Sequence, residues 1–572
     1  MQTRNIISVL ALAAVISSVA AAGDEEAFAR ARENGRRYDQ MAAACQRLLK
    51  AWVAYADPRT LLLPDRLPIL NDFPEWYTSD MQKKGERPRF RLYTPHNSGA
   101  DLYPYLILTA HLTDPDLYHG RMMEMLRNEI RFTTAQESIP ANLDLDTGQL
   151  GPPSLFSAGE YAKDGLVPVT ERLGRTPWFY RMVDMVSDAM NRAPVPSRFG
   201  NLPASDGELN GDYLQALFRL ASMTGERRFF EWLHRIGDAY IEEVLPGNHG
   251  VPASTWDFDK HAAGDGRLRL ADHGNETAVG LTLLYALEQS RQTPRAARYR
   301  PAIARMLDRI LESANPDGLL YTAVDAATLK PFLGRDGEAR LTDNWGYLYG
   351  AVYAFYQCTG EAKYRDAVRR VLKNLPKYRN FDWQNGSFDG YADSIEGAIY
   401  LAAREPVPEA LGWIESEIQL LAGMQKPSGL MGYRGVIEHL YGEGNFNRTL
   451  MLYMDYKSQG CHPERWRPGL RLGAVRLGER LYLSLEAAGE TRVHFDFARH
   501  RRVLNLDKNY VRLNEFPEWY TVDENTLYTL RPVSGTARVR LGSELIAGVP
   551  LEPGNWTVEP AGKAPYGPAQ KK

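Results

Sequence analysis

Six short stretches set carboxylates beside amides, glycines and aromatics: Asn97-Ser98-Gly99-Ala100-Asp101, Asp206-Gly207-Glu208-Leu209-Asn210-Gly211-Asp212, Asp272-His273-Gly274-Asn275-Glu276, Asp343-Asn344-Trp345-Gly346-Tyr347, Asp389-Gly390-Tyr391-Ala392-Asp393-Ser394-Ile395-Glu396 and Glu443-Gly444-Asn445-Phe446-Asn447-Arg448. Each stands at the start of an apolar run with helical spacing. Asp and Asn are favoured helix N-caps, and acids there are stabilised by the helix dipole. One carboxylate per start is therefore an ordinary cap. Several of these starts carry two or three, with His, Trp or Tyr beside them, and that exceeds capping.

Gathered at one mouth, such groups suit glycoside hydrolysis. One carboxyl, kept protonated, donates to the leaving oxygen, while another activates water or attacks the sugar. Crowding of like charges raises at least one carboxyl pKa and keeps the donor protonated. Asp343 ranks first as general acid, because Trp345 and Tyr347 could partly dry its surroundings. Asp272 or Glu276 is the expected base, with Asp393 as a further catalytic carboxylate and Glu396 and Glu208 in reserve. His273, Asn210 and Asn97 suit hydroxyl orientation, and Trp345 and Tyr391 suit sugar stacking. Arg448 fits a uronate or sulfate, or else an ion pair with Glu443.

An alternative chemistry removes the proton beside a uronate carboxyl, with Asn275, His273, Tyr391 and Arg448 taking part. Against it, carboxylates outnumber basic groups at these starts and would repel an anionic chain. A non-catalytic glycan-binding protein is the third reading. Neither a metal nor a cofactor is expected. Cys45, Cys358 and Cys461 fit no zinc spacing, and there is no glycine-rich phosphate loop or G-x-S-x-G elbow.

The elements that must position these residues alternate between residues 25 and 460. Apolar helices are expected over Leu102–Leu112, Asp212–Met223, Thr277–Leu287, Asn344–Tyr356, Ser394–Ala403 and Thr449–Tyr456. Amphipathic ones are expected over Ala27–Ala54, Tyr118–Phe132, Arg227–Glu243, Ala297–Ser313, Ala362–Leu375 and Pro408–Met424. Helices apolar all round are buried, whereas striped ones face water on one side. Twice the unit closes with Thr-Gly-Glu, at Thr224 and at Thr359, where Gly acts as helix stop. Six inner helices wrapped by six outer ones would bring all the acidic starts to one end.

This hairpin order, with acidic motifs at helix starts, resembles the six-hairpin (α/α)6 glycosidase superfamily of carbohydrate-active hydrolases and lyases. The resemblance implies an (α/α)6 toroid over residues 24–460 and a carbohydrate substrate, whose identity, including a uronate-bearing one, stays open. After Gly460 the pattern changes to period two, as in Leu472–Leu477, Leu481–Glu486, Thr491–Phe497 and Ala537–Leu541. A small antiparallel β-sandwich is expected over residues 461–560, and a disordered tail over 561–572.

The stretch Phe-Pro-Glu-Trp-Tyr-Thr occurs twice, at 73–78 and 516–521, and matches no hairpin period. Aromatic packing is its expected role, with sugar stacking by Trp76 or Trp519 as the alternative. Residues 1–23 read as a signal peptide: Arg4, an apolar Ile6–Ala22, and Ala20-Ala21-Ala22 for cleavage after Ala22. Export to the periplasm or medium is expected, with no later membrane span. A net charge of −3 in 572 residues gives no polybasic footprint for nucleic acid. The oligomeric state is not legible.

Overall fold

The computed structural model describes residues 2–67, 91–271, 273–432 and 440–563. The chain forms two compact units. The helical unit comprises Ala44–Leu452 and Arg499–Pro517, and the β unit comprises Met1–Ala43, Tyr453–Ala498 and Glu518–Lys572. The chain passes from one unit to the other after residues 43, 452, 498 and 517. Residues 1–43 go with the strands, and 499–517 go with the helices.

The first helix, α1 (Gln2–Val53), covers both the expected leader and the first amphipathic helix. No helix among the described residues is long and apolar enough to cross a membrane.

In the helical unit the expected alternation is present. The buried members are α2 (Tyr103–Thr113), entered through a wide helical turn at Pro95–Leu102, and later α7 (Gly207–Thr224), α9 (Glu276–Ser290), α11 (Trp345–Thr359), α13 (Phe388–Ala402) and α15 (Glu443–Ser458). Their amphipathic companions include α3 (Met123–Thr133), α8 (Arg227–Ala239), α10 (Pro294–Glu312), α12 (Ala362–Asn374) and α14 (Pro408–Gly423). Gly225 and Gly360, both at φ 72, end α7 and α11 in the left-handed conformation expected of the Thr-Gly-Glu turns.

One further hairpin enters between the first and second expected ones. Its inner arm is α4 (Leu155–Glu160), a wide turn at Tyr161–Leu166, and α5 (Val167–Leu173). Its outer arm is α6 (Pro177–Asn191). The inner arm separates α2 from α7: a Cβ on Gly165 would meet Gly99 O, and one on Gly159 would meet Leu209 and Tyr213. The ring then runs through α7, α9, α11 and α13. It closes through α15, where Thr449 Oγ1 donates to Ala392 O at 3.1 Å and Asn447 Nδ2 donates to Thr109 Oγ1 at 2.9 Å.

Residues 499–517 form a strap inside this unit. Arg512 and Arg219 both pair with Glu171, at 3.0 and 3.1 Å, with all three side chains at most 1% exposed. Arg404 pairs with Glu515 at 2.6 Å, and Val511 N donates to Gln357 Oε1. So many buried charges persist only because each finds a partner.

The β unit holds two antiparallel sheets. Its strands are β1 (His462–Pro463), β2 (Arg471–Leu477), β3 (Arg480–Glu486), β4 (Thr491–His494), β5 (Thr526–Pro532), β6 (Arg538–Leu541), β7 (Val549–Leu551) and β8 (Gly554–Lys563). One sheet has the order β2-β3-β8-β5-β6, and the other β7-β4-β1. Leu481, Leu483 and Leu485 are buried on one face of β3, and Tyr482 and Ser484 are buried on the other, so burial of this strand does not alternate. Phe28 of α1 packs edge-on against Tyr482, with ring centroids 5.3 Å apart.

The first Phe-Pro-Glu-Trp-Tyr-Thr copy lies outside the described residues. In the second, Phe516 lies under the Arg172 guanidinium, and Trp519 packs against Tyr456 with centroids 4.8 Å apart. Both aromatics serve packing. The three cysteines are free thiols.

Candidate functional site

The starts of the inner helices surround a cavity of about 240 Å³ in the helical unit. Close helix approach builds its wall. A Cβ on Gly444 would strike Asp101 O and Leu102 Cα, so only glycine lets α15 sit against the start of α2. Gly211 does the same for α7 against Glu276 of α9. The strap supplies Leu513 and Asn514 to the lining. Asn514 Nδ2 donates to Lys163 O at 3.0 Å and to Asp164 Oδ1 at 2.8 Å.

Two buried cations organise the wall. Lys163 Nζ contacts Glu276 Oε1 at 2.6 Å, Asp164 Oδ2 at 2.9 Å and Asp212 Oδ1 at 3.9 Å. Arg448 Nη2 pairs with Asp393 and, at 2.9 Å, with Glu396. Burial alone would depress both bases, but the surrounding carboxylates outweigh it and hold each well above its ordinary pKa.

The carboxyls of the cavity wall differ in state. Burial pushes Asp101 well above the usual carboxylate range; Asp164, Asp389 and Glu160 add to this, and Arg448 opposes it. Burial likewise lifts Asp164 to about 8 against the pull of Lys163. Burial would also raise Glu160, but Lys163 and His273 outweigh it and hold its carboxyl below the usual range. Asp389 lies in the first turn of α13 and accepts from Asn445 Nδ2 at 2.7 Å. The cavity thus holds carboxyls that stay protonated near neutrality beside others that do not.

The expected residues fall in several places. Glu276, Asp393, His273, Asn97 and Arg448 line the cavity. Asp393 accepts from Arg448 and from Asn344 Nδ2 at 2.8 Å, and Asn97 Nδ2 donates to Asp65 Oδ2 at 3.0 Å. Glu276 accepts from Lys163 and Gln215. Glu208 lines an adjoining smaller cavity that also contains His273. Asp272 lies outside the described residues.

Asp343, ranked first as acid, is not on the cavity wall. It is 3% exposed, and its Oδ1 accepts from the backbone N–H of Asn344 at 3.0 Å, as a residue at a helix start does. Trp345, expected to stack on sugar, is fully buried and donates to Ser394 Oγ at 2.8 Å. Tyr391 and Asn210 are buried off the lining, and Asn210 Nδ2 donates to Ala204 O and Asp206 O. Glu396 is fully buried, accepting from Tyr347, Tyr400 and Arg448. Glu443 is not the partner of Arg448; it accepts from Trp52 Nε1 at 2.8 Å.

Sequence reasoning left out Asp101, Glu160, Lys163, Asp164 and Asp389 as catalytic candidates, and all five line the cavity. Asp101 and Asp389 stood within the acidic starts, so position there was the available signal. Glu160, Lys163 and Asp164 belong to the additional hairpin.

No family model matches the chain, and no curated protein does. Several solved structures resemble it. The GH76A α-1,6-mannanase from Salegentibacter sp. HEL1_6 is 15% identical, with 57% of this chain and 96% of that one covered and a TM-score of 0.39. A glycoside hydrolase family 76 mannosidase from Bacteroides thetaiotaomicron VPI-5482 is 13% identical, with 73% and 98% covered and a TM-score of 0.40. The unsaturated glucuronyl hydrolase from Bacillus sp. GL1 is 14% identical, with 53% and 87% covered and a TM-score of 0.37. These are likenesses; the acid-lined cavity is built by the chain's own helices.

Proposed function

We propose that this chain is a carbohydrate-active enzyme that hydrolyses glycosidic bonds in the inner-helix cavity. Asp101 serves as the general acid and Asp389 as the carboxyl group that activates water or attacks the sugar. One observation carries the reading: Asp101 and Asp389 share the wall of one cavity, and burial, with Asp164, Asp389 and Glu160 beside it, pushes Asp101 well above the usual carboxylate range. Lys163 and Arg448 set the field, with Glu276 and Asp393 as their counter-charges. Asn97, Asn344 and Asn445 offer amides for sugar hydroxyls. The apolar stretch Ile6–Ala22 supports export of the chain.

Elimination beside a uronate is less well served. Arg448, the cation it would use, is already paired with Asp393 and Glu396. Incubation of purified protein with neutral and uronate-bearing polysaccharides tests the proposal. Hydrolysis yields new reducing ends without ultraviolet-absorbing unsaturated sugars. Unsaturated products would make the protein a lyase, and no product from any polymer would leave it a binder.

A further inference from the structure

Glu160, Glu208 and His273 each offer one ligand atom, and these atoms lie within 4.8 Å of one another. They come from the end of α4, the first turn of α7 and the loop before α9. His273 Nδ1 is 3.0 Å from Glu208 Oε1 and 3.6 Å from Glu160 Oε1. Two ligands at about 2.0–2.2 Å from one tetrahedral ion sit about 3.3–3.6 Å from each other. The 3.6 Å separation falls in that range, and the 3.0 Å separation is that of a His–Glu hydrogen bond.

A second observation comes from burial. Among the described residues Glu160 Oε1 has no hydrogen-bond partner although its side chain is only 4% exposed, and its nearest imidazole atom, His273 Nδ1, stands at 3.6 Å.

We propose that Glu160, Glu208 and His273 bind a divalent transition-metal ion of the zinc type at the edge of the cavity. An imidazole ligand selects against calcium and magnesium, which take oxygen donors. His273 is 45% exposed and lines both cavities, so the ion's remaining positions open towards water or a sugar hydroxyl. The left-handed backbone at His273, φ 50, is a conformation side chains seldom adopt without support from their surroundings.

The test is calorimetry on the full chain, stripped with a chelator and titrated separately with zinc chloride and calcium chloride at neutral pH. The expected result is one zinc ion per chain and no calcium binding. Zinc affinity should fall at least tenfold in Glu208→Gln and in His273→Gln. Both side chains are partly exposed, so circular dichroism should match the parent. Zinc should also be released as pH drops and the imidazole takes a proton. No zinc binding, or unchanged binding in both variants, overturns the proposal. Because no sugar is present, this result is read separately from the hydrolase assignment.

Discussion

Asn514 Nδ2 donates to Asp164 Oδ1 at 2.8 Å, joining two residues 350 positions apart. The contact carries the strap of residues 499–517 to the cavity lining and sets one of its acids. It also depends on the buried charges behind it, Glu171 with Arg219 and Arg512.

Glu171→Gln should destabilise the protein by about 3–5 kcal/mol, because it leaves guanidinium groups buried without their carboxylate. The midpoint of urea unfolding measures this. A midpoint equal to the parent's would show that the strap's charges do not hold it.

Stability should fall as pH rises from about 4 towards about 8. Folded Asp164 keeps its proton up to about 8, whereas the unfolded carboxyl loses it near 4. The folded form therefore binds more protons throughout that window, and the slope of stability against pH is negative there. Asp164→Asn should flatten the dependence, which thermal melts at pH 5, 7 and 9 would reveal. An unchanged slope in the variant would remove Asp164 as its source.

Gly444→Ala places a methyl group against Asp101 O and Leu102 Cα. Overpacking of this kind costs about 1–3 kcal/mol. Because the displaced backbone carries Asp101, turnover should drop further than thermal stability does. Equal activity in parent and variant would separate this contact from catalysis.

Much of the fold was legible because two helix types alternate clearly. The α7–α8 and α11–α12 pairs show an unbroken apolar run, a Thr-Gly-Glu stop and a striped partner. The α4–α5 arm shows none of these: Gly159, Gly165 and Pro168 interrupt it, and it buries Lys163 and Glu171. Such a segment reads as a polar loop until partners from distant positions neutralise it. The strap was hidden for the same reason, since its contacts lie hundreds of residues away in sequence. Among the acidic starts, composition could not separate Asp343, which meets its own backbone, from Asp101 and Asp389 on the cavity wall. That difference depends on which side of each helix start faces inward.

The most direct test of the central claim is turnover by Asp101→Asn and Asp343→Asn, measured as release of reducing ends from a polysaccharide the parent cleaves. Asp101→Asn should lose turnover by about 10²–10⁴-fold with its fold intact, and Asp343→Asn should keep near-parental turnover. Parental turnover by Asp101→Asn would contradict it.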